Sequence, residues 1–109
     1  MATANYWQRG EALDYTNGTD DAIPAGTVVT LEDRIGVTGC DIPAKAVGSV
    51  HVIGVFEIAK TGTAAIKMGK AVYFDGNGIT DTKASNTPAG YAAEDAAADA
   101  TTIKVQIGA

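Results

Sequence analysis

The residues that could do chemistry are few and scattered. His51 is the only imidazole and Cys40 the only thiol. A nucleophilic site needs its base within hydrogen-bond reach. Ser49 is near His51 in the chain, but strand alternation is read here as turning the two to opposite faces. His51 therefore reads as a half-exposed strand position. One His and one Cys do not supply a zinc ligand set. Asp75-Gly76-Asn77-Gly78 begins like a calcium loop but lacks the later carboxylates at that spacing, and reads as a hairpin turn. Glu94, Asp95 and Asp99 read as a solvated acidic loop. Gly62 to Lys70 fails as a phosphate loop: six residues separate the glycines, Ala71 follows Lys70, and a strand follows instead of a helix. No catalytic residue, cofactor or metal site is read, and no small-molecule substrate; the chain is read as a non-enzyme.

The composition says what must position any site. Ala, Gly and Thr account for 46 of 109 residues; Val and Ile number 18 and Leu two. β-Branched side chains fit strands and Leu suits helices, so an all-β chain is expected. The length suits one domain over residues 1–109. The net charge is −5 and the eight basic residues are dispersed, which leaves no footprint for nucleic acid. No stretch approaches the roughly 20 apolar residues of a membrane helix, and the first residues lack the pattern of a signal peptide. The lone Cys40 excludes an internal disulfide. Asn17-Gly18-Thr19 fits a glycosylation sequon but reads as a turn.

Strands are expected over residues 27–31, 34–38, 71–74, 79–82, 91–93 and 101–107. A longer one over residues 50–58, apolar on both alternating faces, should be central and covered on both sides, with a bend or bulge at Gly54. Turns are expected near Asn17-Gly18, residues 23–26, 42–44 and 75–78, and again over residues 87–90. Residues 94–100 could form a helical turn or a polar loop. A small residue or Pro, then Ala or Gly, then a Val-bearing strand recurs at 23–29, 42–50 and 66–73, which reads as repeated hairpin chemistry. Short strands with Gly and Pro turns imply a small β-barrel or β-sandwich of antiparallel strands. Residues 1–11 read as an extended N-terminal arm or a first edge strand. Its aromatic pair, Tyr6-Trp7, either anchors a docking arm or plugs one end of the barrel.

In order and spacing, these segments resemble the capsid cement, or head decoration, proteins of tailed phages and prophages. The matching residues are Asn5 to Glu11, Asp14 with Asn17, Ile23-Pro-Ala-Gly26 with Val28-Val29, Arg34-Ile-Gly-Val37, and Asp41-Ile-Pro-Ala44. They continue with Ile53-Gly-Val-Phe-Glu-Ile-Ala-Lys60, Gly69-Lys-Ala-Val-Tyr-Phe-Asp75 followed by Gly78-Ile-Thr80, Ala89-Gly-Tyr-Ala92 and the segment from Thr101 to Ile107. The chain departs from the family at Lys45-Ala46, where Gly-Glu is frequent. The family often carries a recombinase label of the RecA/RadA type, which neither a phosphate loop nor a basic stripe supports here. The resemblance implies a structural virion protein on the outer capsid surface, assembled in the bacterial cytoplasm. It further implies binding to the major capsid protein and to itself, often as a trimer, and bracing of the shell. Tyr6, Trp7, Gln8 and Arg9 are the partner-binding candidates. The alternative is a small β-barrel adhesin presenting loops 75–78 and 94–100 to a glycan.

Overall fold

The computed structural model describes residues 1–108. Among them are nine strands and no helix: β1 Ala12–Thr16, β2 Val28–Leu31, β3 Arg34–Thr38, β4 Val47–His51, β5 Gly54–Ala59, β6 Ala71–Phe74, β7 Ile79–Thr80, β8 Thr87–Ala92 and β9 Thr102–Ile107. They form two antiparallel sheets, ordered β1-β4-β3-β2 and β5-β9-β8-β6-β7. The chain is all-β, as the composition implies. Of the two expected architectures it takes the sandwich-like one: the sheets stay open and do not close into a barrel. A single parallel bridge, Lys60 to Ile79, brings the two edges of the second sheet together at one point.

The expected strand over residues 50–58 is two strands. β4 ends at His51 and β5 begins at Gly54, and they belong to different sheets. Gly54 has φ 136°, a backbone state open to glycine, so the bend anticipated there is where the chain changes sheets. The turn expected over residues 87–90 is instead part of β8. Gly90, at φ 130°, lies so close to the Gln106 carbonyl that a Cβ would overlap it. Gly90 is thus a close-approach glycine within a ladder, not a turn former. β1 was unanticipated; it starts where the expected arm ends. Residues 94–100 form no helical turn.

The recurrent local pattern belongs to a larger repeat. Ile23 forms an isolated antiparallel bridge with Ile42, and Ile66 does so with Ala96. Each bridge exchanges two backbone hydrogen bonds of 2.8–2.9 Å. One residue before the second partner, a carboxylate accepts an amide from the opposite turn: Ala25 N–H to Asp41 and Met68 N–H to Asp95, both at 2.8 Å. The registers correspond too. Val28 pairs with Val37 and Val37 with His51; Ala71 pairs with Tyr91 and Tyr91 with Gln106. The orders β1-β4-β3-β2 and β5-β9-β8-β6 are therefore the same four-stranded unit used twice. β7 and its hairpin are an insertion in the second copy.

Equivalent buried positions carry different solutions to the same problem. Asn17 in the first unit and Lys60 in the second are both buried. Asn17 Nδ2 donates to the Asp21, Ile42 and Pro43 carbonyls, and its Oδ1 accepts from the Thr19 amide and hydroxyl. The sequon asparagine is thus spent inside the fold, in keeping with a turn. Lys60 Nζ donates to the Gly62 and Ala98 carbonyls. Volumes are exchanged as well. Ile42 packs on Gly48, where a Cβ would overlap the Ile42 side chain. At the matching positions stand Ala96 and Ile103, both in the main core. That core joins Ile35 and Val37 of β3 to Ile58, Val72, Ile79, Val105 and Ile107 of the second sheet. It is built from Val, Ile and Ala because short strands at close approach leave little room for larger groups.

Two turns carry specific backbone demands. Ala46 N–H closes a turn onto the Pro43 carbonyl at 3.1 Å, and its third residue, Lys45, has φ 62°. Gly69 holds the same place in the Lys67–Lys70 turn, at φ 91°. A positive φ at that place defines a type II turn and favours glycine, which fits the glycine frequent there in the resembling family. In the inserted hairpin Asp75 accepts from the Thr61 hydroxyl at 2.7 Å and from the Asn77 and Gly78 amides at 2.8 and 2.9 Å. The Thr61 hydroxyl first, and then the Asn77 amide, hold its carboxyl below the ordinary range.

Three stability outcomes are expected. Lys45→Gly raises stability by about 1 kcal/mol, because relief of left-handed strain outweighs an exposed ion pair to Asp20; chemical denaturation reads it. Gly48→Ala costs about 2 kcal/mol by overpacking, and a double-mutant cycle shows most of that cost gone in an Ile42→Ala background. Asp75→Ala costs about 1 kcal/mol at neutral pH through lost hydrogen bonds. Because the folded-state pKa of Asp75 is depressed, its contribution is present above the unfolded value, near 3.9, and is lost as pH falls through the folded value. The gap between wild type and variant should close in acid denaturation below about pH 4.

Candidate functional site

The structure places the residues with chemical potential on three separate surfaces. His51 is half-buried in β4, its ring centroid 5.9 Å from that of Phe56. Ser49 does not face away from it. The two are separated by one residue in β4, share a face, and both lie over Gly39. Asp14 stands opposite Ser49 in the β1–β4 ladder, which adds the third residue type of a triad on that face. Sequence reasoning missed Asp14, since only the register brings it there. Among the described residues no hydrogen bond joins any two of these three side chains. Cys40 is exposed, and among the described residues no group of His, Cys, Asp and Glu side chains could hold a metal ion.

The two loops considered for ligand presentation are engaged with the chain itself. Asp75 is turned into its own hairpin, and Asp95 caps the Met68 amide. Glu94 reaches the Lys104 ammonium at 3.2 Å, an exposed pair. These carboxylates organise turns and a strand end.

The arm is different. Residues 1–11 are exposed and lie outside the strands. Tyr6 is 85% exposed and Trp7 89% exposed, so Trp7 plugs neither the core nor an end of it. Gln8 donates a long hydrogen bond, 3.4 Å, to the Ala12 carbonyl. Among the described residues Arg9 has no ion-pair partner. Tyr6, Trp7, Gln8 and Arg9 thus come together on one extended segment, with their apolar surface in water.

Near the root of that arm runs an open groove of about 480 Å³, between the first sheet and strand β5. Val28, Val37, Thr38 and His51 line one side, and the segment from Phe56 to Ala59 the other. Sequence reasoning missed this groove, because two β strands expected to be one had to separate before a gap could exist between them. On the outer face of the second sheet, Val55, Gln106, Tyr91 and Ala71 form a row across four strands, with Val55 and Tyr91 exposed.

No curated protein and no solved structure matches the chain. A family model described as phage cement protein matches residues 7–107. That span begins at Trp7 and takes in both four-stranded units and the hairpin inserted in the second. A chain with its polar chemistry spent on turns, two open sheets and aromatics held out in water agrees with a structural role, and it belongs to the phage cement protein family.

Proposed function

We propose that this protein is a capsid cement protein that binds the outer surface of a phage head and braces it, through contacts with the major capsid protein and with copies of itself. Residues 1–109 act in this reading as one β domain, with Tyr6, Trp7, Gln8 and Arg9 as the docking arm, and the protein acts without catalysis or cofactor. Family membership supports association with the capsid and a place on the virion. The observation that carries the finer reading is the arm, with a Trp and a Tyr left in water by a chain that has few large aromatics to spare. Aromatic side chains are the usual anchors of interfaces. Many copies on one lattice turn a modest contact into firm attachment. Assembly in the host cytoplasm and a trimeric state on the shell are parts of the same proposal. The glycan-binding alternative gains no support from loops 75–78 and 94–100, whose Asp75 and Asp95 are committed to backbone amides.

Removal of residues 1–10 should leave a folded β protein, because that segment contributes nothing to the core. Co-sedimentation with expanded capsids should weaken about tenfold or more, the scale of losing one aromatic anchor. Capsid binding unchanged by the truncation refutes the docking role of the arm. Failure of the intact chain to bind expanded capsids, with selective binding on a glycan array, favours the adhesin.

A further inference from the structure

The groove beside β5 and the unpartnered arm are complementary in shape, backbone and charge. Successive side chains of a strand face opposite sides, so a groove touching Phe56, Glu57, Ile58 and Ala59 in sequence is reached along the strand's edge. β5 is an edge strand of its sheet. Lys60 N–H donates to the Thr101 carbonyl, continuing the β5–β9 register. Hydrogen-bonded and non-bonded pairs alternate in an antiparallel ladder. Phe56 and Ile58 therefore bond to β9, while Val55 and Glu57 turn their N–H and C=O groups outward. Among the described residues no backbone group meets them.

The arm has what that edge lacks. Residues 4–10 span about 23 Å when extended and include no proline, so each can join a ladder. Alternation places Trp7 and Arg9 on one face and Tyr6 and Gln8 on the other. Residues 1–10 carry one basic side chain, Arg9, and no acidic one, whereas all 13 acidic residues lie in 11–109. The groove's rim is acidic on both sides. Glu57 is exposed, and its ladder partner Lys104 is drawn away to Glu94. Asp41 is fixed beside Ala25 of the groove wall. The arm leaves the fold next to this groove, since Ala12 pairs with His51. Within one chain Trp7 nonetheless stays exposed, which leaves the groove to an arm arriving from outside.

We infer that the arm of a second copy of this chain adds to the open edge of β5, with Trp7 seated in the groove between Val28, Val37 and Phe56. The inference rests on the reading of residues 6–9 as a docking arm and names its partner as a second copy. Edge addition draws affinity from main-chain bonds and specificity from alternate side chains in pockets. It also covers an edge that would otherwise invite uncontrolled pairing.

Trp7 is the only tryptophan, so its emission reports the groove directly. The test follows the full chain without capsids over a concentration series, by sedimentation velocity and Trp7 emission. Self-association with a shift of emission to shorter wavelength, in step with concentration, is the expected result. Trp7→Ala should weaken association about tenfold or more. Glu57→Pro removes an outward N–H that no ladder bond uses, and should abolish the emission shift. Ala25→Leu fills the groove from an exposed turn without adding a second tryptophan and should do the same; the two variants act independently, and circular dichroism confirms the fold of each. A solvent-like emission at every concentration overturns the inference, as does a blue emission independent of concentration, which would place the arm in its own groove. Retained capsid binding in Glu57→Pro with loss in Trp7→Ala would keep the cement reading while the shared-arm inference is judged on the capsid-free series. Loss of the cement reading itself shows only in absent capsid binding by the intact chain.

Discussion

Two small clamps hold this fold together: the bridge of Ile23 with Ile42 and the bridge of Ile66 with Ala96, each flanked by an Asp carboxylate on an opposing amide. Strands of two to six residues have too few ladder bonds to fix their own register. In each four-stranded unit the clamp ties the turn before one strand to the turn before another. That folds the connecting segments over one face of the unit and seals it. The carboxylate matters because a turn amide facing another turn has no ladder partner, and a charged acceptor is a strong one. From this clamp follow the equal strand orders of the two units, the buried polar residue beside each clamp, and the small side chains where the turns come close.

The exchange of Ile42 and Gly48 for Ala96 and Ile103 explains much of the composition. At a site of fixed volume, one large and one small residue fill the space whichever partner is large. A fold made of such sites uses Ala and Gly as structural partners of Ile, and has little use for Leu. The thin core is therefore close-packed at its own scale. What it lacks is breadth: the first unit's Val29, Ile42 and Val50 are buried but stand outside the main cluster. Each unit leans on its own clamp, and the second unit adds the shared core.

Strands whose signal is local were legible in the sequence. The last strand alternates Ile103, Val105 and Ile107 with polar residues, and all three are buried. β3 and β6 were legible from β-branched runs between glycine turns. Failures came where one residue type has two physical uses. Gly54 and Gly90 look alike in sequence, yet one begins a strand after a change of sheet and the other permits close approach within a ladder. An apolar run on both faces looks like one central strand, but residues 50–58 are apolar on both faces because they serve two sheets in turn. The repeat was visible only as scattered turn patterns, since the inserted hairpin stretches its spacing from 43 residues at Ile23 and Ile66 to 54 at Ile42 and Ala96. The aromatic pair in a polar stretch leaves an arm and an edge strand, and an anchor and a plug, equally open in the sequence, because exposure depends on what the rest of the chain leaves uncovered. The groove was not legible, because it depends on the separation of β4 from β5.

The distribution of charge and of edges bears on why a cement protein would be built this way. An isolated small β protein gains from hiding its edges and burying its aromatics. This chain keeps open the edge of β5 and holds Tyr6 and Trp7 outside, at a cost in solubility offset by 13 acidic side chains on the body. Like charge opposes contact between one body and another. The arm carries one basic side chain and no acid of its own, so it can approach another copy without that repulsion. On the proposed pairing, attraction is confined to one segment and one groove, and each added copy is placed by its arm. In the same reading, a lattice that presents many copies at fixed spacing makes weak pairwise contacts act together and lends a thin core the rigidity of its neighbours.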